Sequence, residues 1–97
     1  MNTISAIYKF RLYVAGDAQN SMLARANLRQ LCDTYLADRY EIEVLDVFSE
    51  QKRALEDAIF MTPTLLKLAP AKERRIVGTL SNTQDVLLAL DVEAHLV

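Results

Sequence analysis

Met61-Thr62-Pro63-Thr64-Leu65-Leu66-Lys67-Leu68 sets a proline between two β-branched threonines and leads at once into an apolar run of strand length. Proline lacks the amide that a central strand needs and pushes the residue before it into extended backbone. Pro63 is therefore the first residue, or the corner, of a strand over Thr64 to Leu68. A corner of this kind admits a cis bond. The rest of the chain is arranged about that strand.

Upstream, Tyr8, Phe10, Leu12 and Val14 alternate with Lys9, Arg11 and Tyr13, which predicts a strand over Ile7 to Val14. Ala15-Gly16-Asp17 ends it, and Asn20 or Ser21 is expected to cap the next helix. Ala24, Leu28, Leu31, Cys32 and Tyr35 then recur on one helical face. Ile42 and Val44 alternate with Glu41 and Glu43, predicting a second strand whose crossover through the helix makes it parallel to the first. Ser49 is the expected cap of a short helix with Leu55, Ala58 and Ile59 facing inward. Downstream of Pro63, Ala69-Pro70-Ala71-Lys72 reads as a turn and Arg74 to Thr79 as an antiparallel fourth strand. Ser81-Asn82-Thr83-Gln84 has the form of a capping box opening a helix to about Asp91. The order is βαβαββα, the order of the thioredoxin fold: an α/β chain with a mixed four-stranded sheet and helices on both faces.

At 97 residues, with no internal repeat and only two glycines and two prolines, the chain reads as one domain without linkers. A net charge of −2 leaves no basic footprint for nucleic acid or anionic lipid. No window approaches the apolar length of a membrane span and no basic leader opens the sequence, so cytoplasm is the expected compartment. One Cys32 and one His95 supply neither a disulfide nor an ordinary metal site, and no cofactor is expected. A redox enzyme of this fold needs a thiolate where the first strand hands over to the first helix. That position reads Gly16-Asp17-Ala18-Gln19-Asn20. Thiol chemistry is excluded there, Cys32 falls in the apolar stripe, and the chain is not expected to be an enzyme.

Leu12-Tyr13-Val14-Ala15-Gly16, Asn20-Ser21, Leu45-Asp46-Val47, Ala54 with Glu56-Asp57, Thr62-Pro63-Thr64-Leu65, Lys67, Pro70, Arg74, Ile76-Val77-Gly78, Leu80-Ser81 and Leu90-Asp91 together resemble the KaiB family of circadian clock proteins. The resemblance runs without a gap from about residue 7 to residue 92. It implies a non-enzymatic regulator that binds a ring-shaped, RecA-like ATPase of the KaiC type. It also implies two accessible folds: a dimeric or tetrameric ground state of order βαββααβ, and a monomeric thioredoxin-like state that docks. Lys67, Pro70, Arg74 and Asp91 match family positions tied to partner binding or switching. With Arg75 on the same strand, the docking surface is expected to carry Lys67, Arg74 and Arg75.

Several residues depart from the family pattern. Val86, Leu88, Leu90 and Val92 alternate as a strand would, while Val86, Leu87 and Leu90 also fit a helix. Ala89 stands where many members have glycine, which favours the helix by roughly 0.8–1 kcal/mol, about fivefold in a two-state ratio. Pro70-Ala71-Lys72 replaces a run of prolines. Pro63, Pro70, Ala89 and Asp91 are thus the expected switch positions, with the thioredoxin-like monomer as the main state. Leu23, Ala26, Glu43 and Ala58 occupy positions that are generally basic in clock members. Glu43 on the second strand places engagement of KaiA in doubt. The alternatives are an adaptor for a histidine kinase or for stress-response signalling and, against the missing cysteine, a thiol enzyme.

Overall fold

The computed structural model describes residues 6–92, and its elements follow the order βαβαββα: β1 (Tyr8–Val14), α1 (Gln19–Tyr35), β2 (Tyr40–Asp46), α2 (Gln51–Glu56), β3 (Thr64–Ala69), β4 (Arg74–Val77) and α3 (Thr83–Ala89). The sheet order is β2-β1-β3-β4. β1 and β2 are parallel, as a helical crossover between them requires, with Tyr8 opposite Tyr40 and Val14 opposite Asp46. β3 runs antiparallel to β1, Leu12 facing Leu65, and β4 antiparallel to β3, Lys67 facing Arg74. This is the expected thioredoxin-like order and not the alternative βαββααβ.

The period of two in β1 divides the core. Tyr8, Phe10, Leu12 and Val14 join Leu65, the α1 residues Ala24, Leu28, Leu31 and Cys32, and Val86, Leu90 and Val92 at the α3 end. Tyr13 points to the opposite face, where it meets Leu45, Leu66 and Ala54 of α2. Helices therefore cover both faces, but the α2 side is much the thinner.

Local details differ from the sequence reading for identifiable reasons. Neither Asn20 nor Ser21 caps α1, which starts at Gln19 behind Ala18. Ser21 is buried and its Oγ accepts the Ala15 amide at 3.0 Å, so it ties the helix to the end of β1 instead. α2 begins at Gln51 with no side-chain cap, and Ser49 bonds back to the Asp46 carbonyl. That start turns Ala54 inward and leaves Leu55 74% exposed, while exposed Ala58 lies beyond the helix at φ 55. In α3 the cap is Asn82, whose side chain accepts the Asp85 amide at 3.1 Å. Ser81 is engaged with Thr79, their hydroxyl oxygens 2.5 Å apart. Across the ambiguous stretch the helical period prevails: Val86 and Leu90 are buried, whereas Leu88 is 78% exposed. Ala89 is the exposed last residue of the helix, and Asp91 follows at φ 57.

Candidate docking apex

At the C-terminal end of β1 and β2 three loops converge. Val47 continues the parallel pairing by donating its amide to the Val14 carbonyl at 2.9 Å. The Asp46 carboxylate then accepts the Phe48 amide at 2.9 Å, closing a tight turn that throws Phe48 outward. Gly16 sits beneath it at φ 53, and a Cβ there would lie 3.9 Å from the Phe48 ring. The third loop runs from the end of α2 to Pro63. The Thr62–Pro63 bond is cis, Thr64 Oγ1 donates to the Met61 carbonyl at 2.5 Å, and the Pro63 carbonyl accepts the Gly78 amide at 2.9 Å. Pro63 is thus a buried anchor between β3 and β4, and the residues before it are held proud of the sheet.

What this corner presents is apolar. Phe48 is 68%, Phe60 85% and Met61 63% exposed. With Ala15, Val47, Ile59 and Thr62 they line a shallow cleft of about 220 Å³. Large apolar side chains clustered in water mark an interaction site more often than single exposed ones do.

Beneath the apex, on the α2 face, lies a charged network. Asp57 Oδ2 receives Arg11 Nη1 at 2.9 Å and the Tyr13 hydroxyl at 2.6 Å. Arg11 Nε also contacts Glu43 at 3.0 Å, and Arg53 holds the other Glu43 oxygen at 3.0 Å. Arg75 donates to the main chain, Nη2 to the Asp57 carbonyl at 2.6 Å and Nη1 to the Ala58 carbonyl at 2.9 Å. Burial opposes ionisation of Asp57, but the bonds from Tyr13 and Arg11 outweigh it and hold the carboxyl below its ordinary value. Burial, reinforced by the neighbouring carboxylate, pushes the Tyr13 hydroxyl up to about 12. Glu43 is lowered by its bonds from Arg53 and Arg11.

The expected site residues are therefore dispersed. Lys67 is 1% exposed, on the α1 and α3 face of β3 between Phe10 and Arg74. Burial lowers its pKa, Asp91 opposing and Arg74 adding to the effect. Almost none of the side chain is open to solvent, so it offers a partner little charge. Arg74 is half-buried, 3.9 Å from Asp91, and its Nε has no partner among the described residues. Arg75 is exposed on the opposite face but bonded to carbonyls. Pro70, half-buried after a second cis bond, lies in the β3–β4 turn. Pro63 alone among them borders the apex. Sequence reading missed Phe48, Phe60 and Met61; the available signal was a pair of bulky apolar residues in a loop, outside any periodic element.

The site holds no reactive sulfur. Cys32 is buried in α1, where burial, with Asp33 adding to it, pushes its thiol up to about 12. Among the described residues no group of three or more His, Cys, Asp or Glu side chains is placed to hold a metal, and no helix is long and apolar enough to cross a membrane. His95 lies outside the described residues.

A family model, the KaiB domain, matches residues 11–92. The chain belongs to the KaiB family. It is 44% identical over 82 residues to circadian clock protein KaiB3 of Synechocystis sp., covering 84% of this chain and 80% of that protein. To the circadian clock oscillator protein KaiB of Picosynechococcus sp. it is 39% identical over 92 residues, covering 95% and 88%. These KaiB relatives are named as clock proteins and not as enzymes. Among solved structures it is similar to the N-terminal domain of Synechococcus elongatus SasA, with a TM-score of 0.74, 14% identity, and 100% and 95% of the two chains covered. Chloroplastic thioredoxin z gives a TM-score of 0.75 at 17% identity, covering 92% and 80%. At such identities the likeness is one of fold: this KaiB-family chain is thioredoxin-like.

Proposed function

We propose that this KaiB-family chain is a non-enzymatic clock regulator that docks on a KaiC-type ATPase in the thioredoxin-like conformation. The observation that carries the reading is the exposed trio Phe48, Phe60 and Met61 about buried Pro63. The apex leads the encounter and the basic strand β4 flanks it. Lys67 and Asp91 act within the fold, on the balance between this conformation and the family's ground state. KaiA is not included as a partner: on β2, Glu43 is already bracketed by Arg11 and Arg53. The monomer is the docking species.

Biolayer interferometry with a purified KaiC-type ATPase tests the reading, comparing the parent chain with Phe60→Ser/Met61→Ser. Binding by the parent and a loss of about tenfold or more in the variant is the expected result, since apolar anchors dominate interface energies. Equal affinities would refute the apex. Capture of a histidine kinase without capture of the ATPase would favour the adaptor reading.

A further inference from the structure

We infer that Arg75, through Asp57 and Ala58, is a positioning residue for the apex: it governs docking without touching the partner. This rests on the docking reading above. Asp57 closes α2, and Ala58 at φ 55 turns the chain toward Phe60 and Met61. A non-glycine residue in the left-handed region holds that shape only when its surroundings fix it. Here they come from three strands. Arg11 and Tyr13 of β1 hold the Asp57 carboxylate. Glu43 of β2 steadies Arg11 and Arg53. From β4, across the sheet, the Arg75 guanidinium spans the two successive carbonyls of Asp57 and Ala58.

Those carbonyls lie past the last turn of a helix, where no intrahelical donor reaches them. Both bonds lie at the surface, so water can reach the carbonyls if Arg75 is removed, and the loss falls on the loop and the α2 side rather than on the buried core. Direction is what is lost, because a planar fork bonded to two adjacent carbonyls fixes their orientation and solvent does not. Arg75 makes no ion pair within 4.0 Å among the described residues; its donors go to carbonyls, and the Asp57 carboxylate feels its charge only through space. A single lysine ammonium cannot reproduce the fork. This separates positioning from simple charge attraction to a partner.

The test uses Arg75→Met and Arg75→Lys in the full chain, read by amide hydrogen exchange and by binding to a purified KaiC-type ATPase. The amides to follow are Ala58 and Ile59, bonded to the Leu55 and Ala54 carbonyls at 3.0 and 2.8 Å. Both variants are expected to speed exchange at these two amides about tenfold while leaving the buried face of α1 unchanged. Both are expected to weaken binding about tenfold, the cost of ordering an apex no longer held in place. Parent-like exchange in both variants overturns the inference. So does parent-like binding by Arg75→Lys beside loss in Arg75→Met, which would mean that the charge itself is read. Were the parent to bind no ATPase, the docking reading would fall, and the exchange rates would still decide whether Arg75 positions the loop.

Discussion

Replacing Lys67 with methionine should make this protein more stable, although lysine at this position resembles the family pattern. The lysine side chain is 1% exposed, Phe10 and Arg74 lie opposite it on the neighbouring strands, and no hydrogen bond or ion pair reaches it among the described residues. A buried charge without a close partner loses hydration and regains little. Methionine has nearly the same length, fills the same space and carries no charge. Exchanging buried charges for apolar groups of similar size gains up to about 1–4 kcal/mol. Allowing for the lost attraction to Asp91 and the relieved repulsion from Arg74, about 1–2 kcal/mol is expected at pH 7. For a chain of this size each kcal/mol raises Tm by about 4–8 °C. The pH dependence carries a definite sign. Lys67 has its folded-state pKa lowered from 10.5, so between the folded and unfolded values the unfolded chain binds more protons and stability rises with pH. The advantage of Lys67→Met should be full at neutral pH and shrink as the pH approaches about 10.4, the unfolded value. Thermal and urea denaturation followed by circular dichroism from pH 7 to 10.5 measures both quantities. A variant less stable than the parent, or an advantage that does not change with pH, would refute the reasoning.

Removing the Tyr13 hydroxyl with Tyr13→Phe should cost about 1–2 kcal/mol, since its single proton is directed at the Asp57 carboxylate 2.6 Å away, which is left one donor short. Asp57 is lowered in the folded state, so its contribution is present above its unfolded pKa and lost as pH falls through the folded one. In the variant that loss should begin at higher pH, visible in an NMR titration of the Asp57 carboxyl. The double change Phe60→Ser/Met61→Ser should move stability by no more than about 0.5 kcal/mol, because both side chains already face water; a larger loss in urea denaturation would show that they pack. Cys32 should resist a thiol reagent at pH 8 in the native protein and react promptly in urea. Asn82→Ala should cost about 1 kcal/mol through the lost bond to the Asp85 amide, with amide exchange accelerated first in α3.

The architecture was legible because period and punctuation agree. The alternation from Tyr8 to Val14, the apolar stripe of α1 and the proline before Thr64 each permit one assignment, and together they fix the order of elements. The caps were misplaced because Ser21, Ser49 and Ser81 all spend their hydroxyls elsewhere, on Ala15, Asp46 and Thr79. Such choices are tertiary, and local spacing does not encode them. The site was less legible still. Lys67, Arg74 and Arg75 share a neighbourhood in sequence, but the pleat sends Arg75 to one face and Lys67 with Arg74 to the other. Charge read from sequence says nothing of whether an arginine is free or already bonded to a carbonyl. Phe60 and Met61 carried no pattern because a loop has no period to violate.

The unequal depth of the two layers has a consequence for how the molecule comes apart. The α1 and α3 side is sealed by fourteen buried residues among those described. The α2 side has four, Tyr13, Leu45, Ala54 and Leu66, and is pinned largely by Arg11, Arg53, Asp57 and Arg75. Salt does not screen apolar contacts, whereas it does screen the solvent-exposed pairs of Glu43 with Arg11 and Arg53. High ionic strength should therefore peel α2 and its following loop from a sheet that stays intact, an opening well below the free energy of global unfolding. The apex proposed to meet a partner would then stand on the face that solvent composition can loosen.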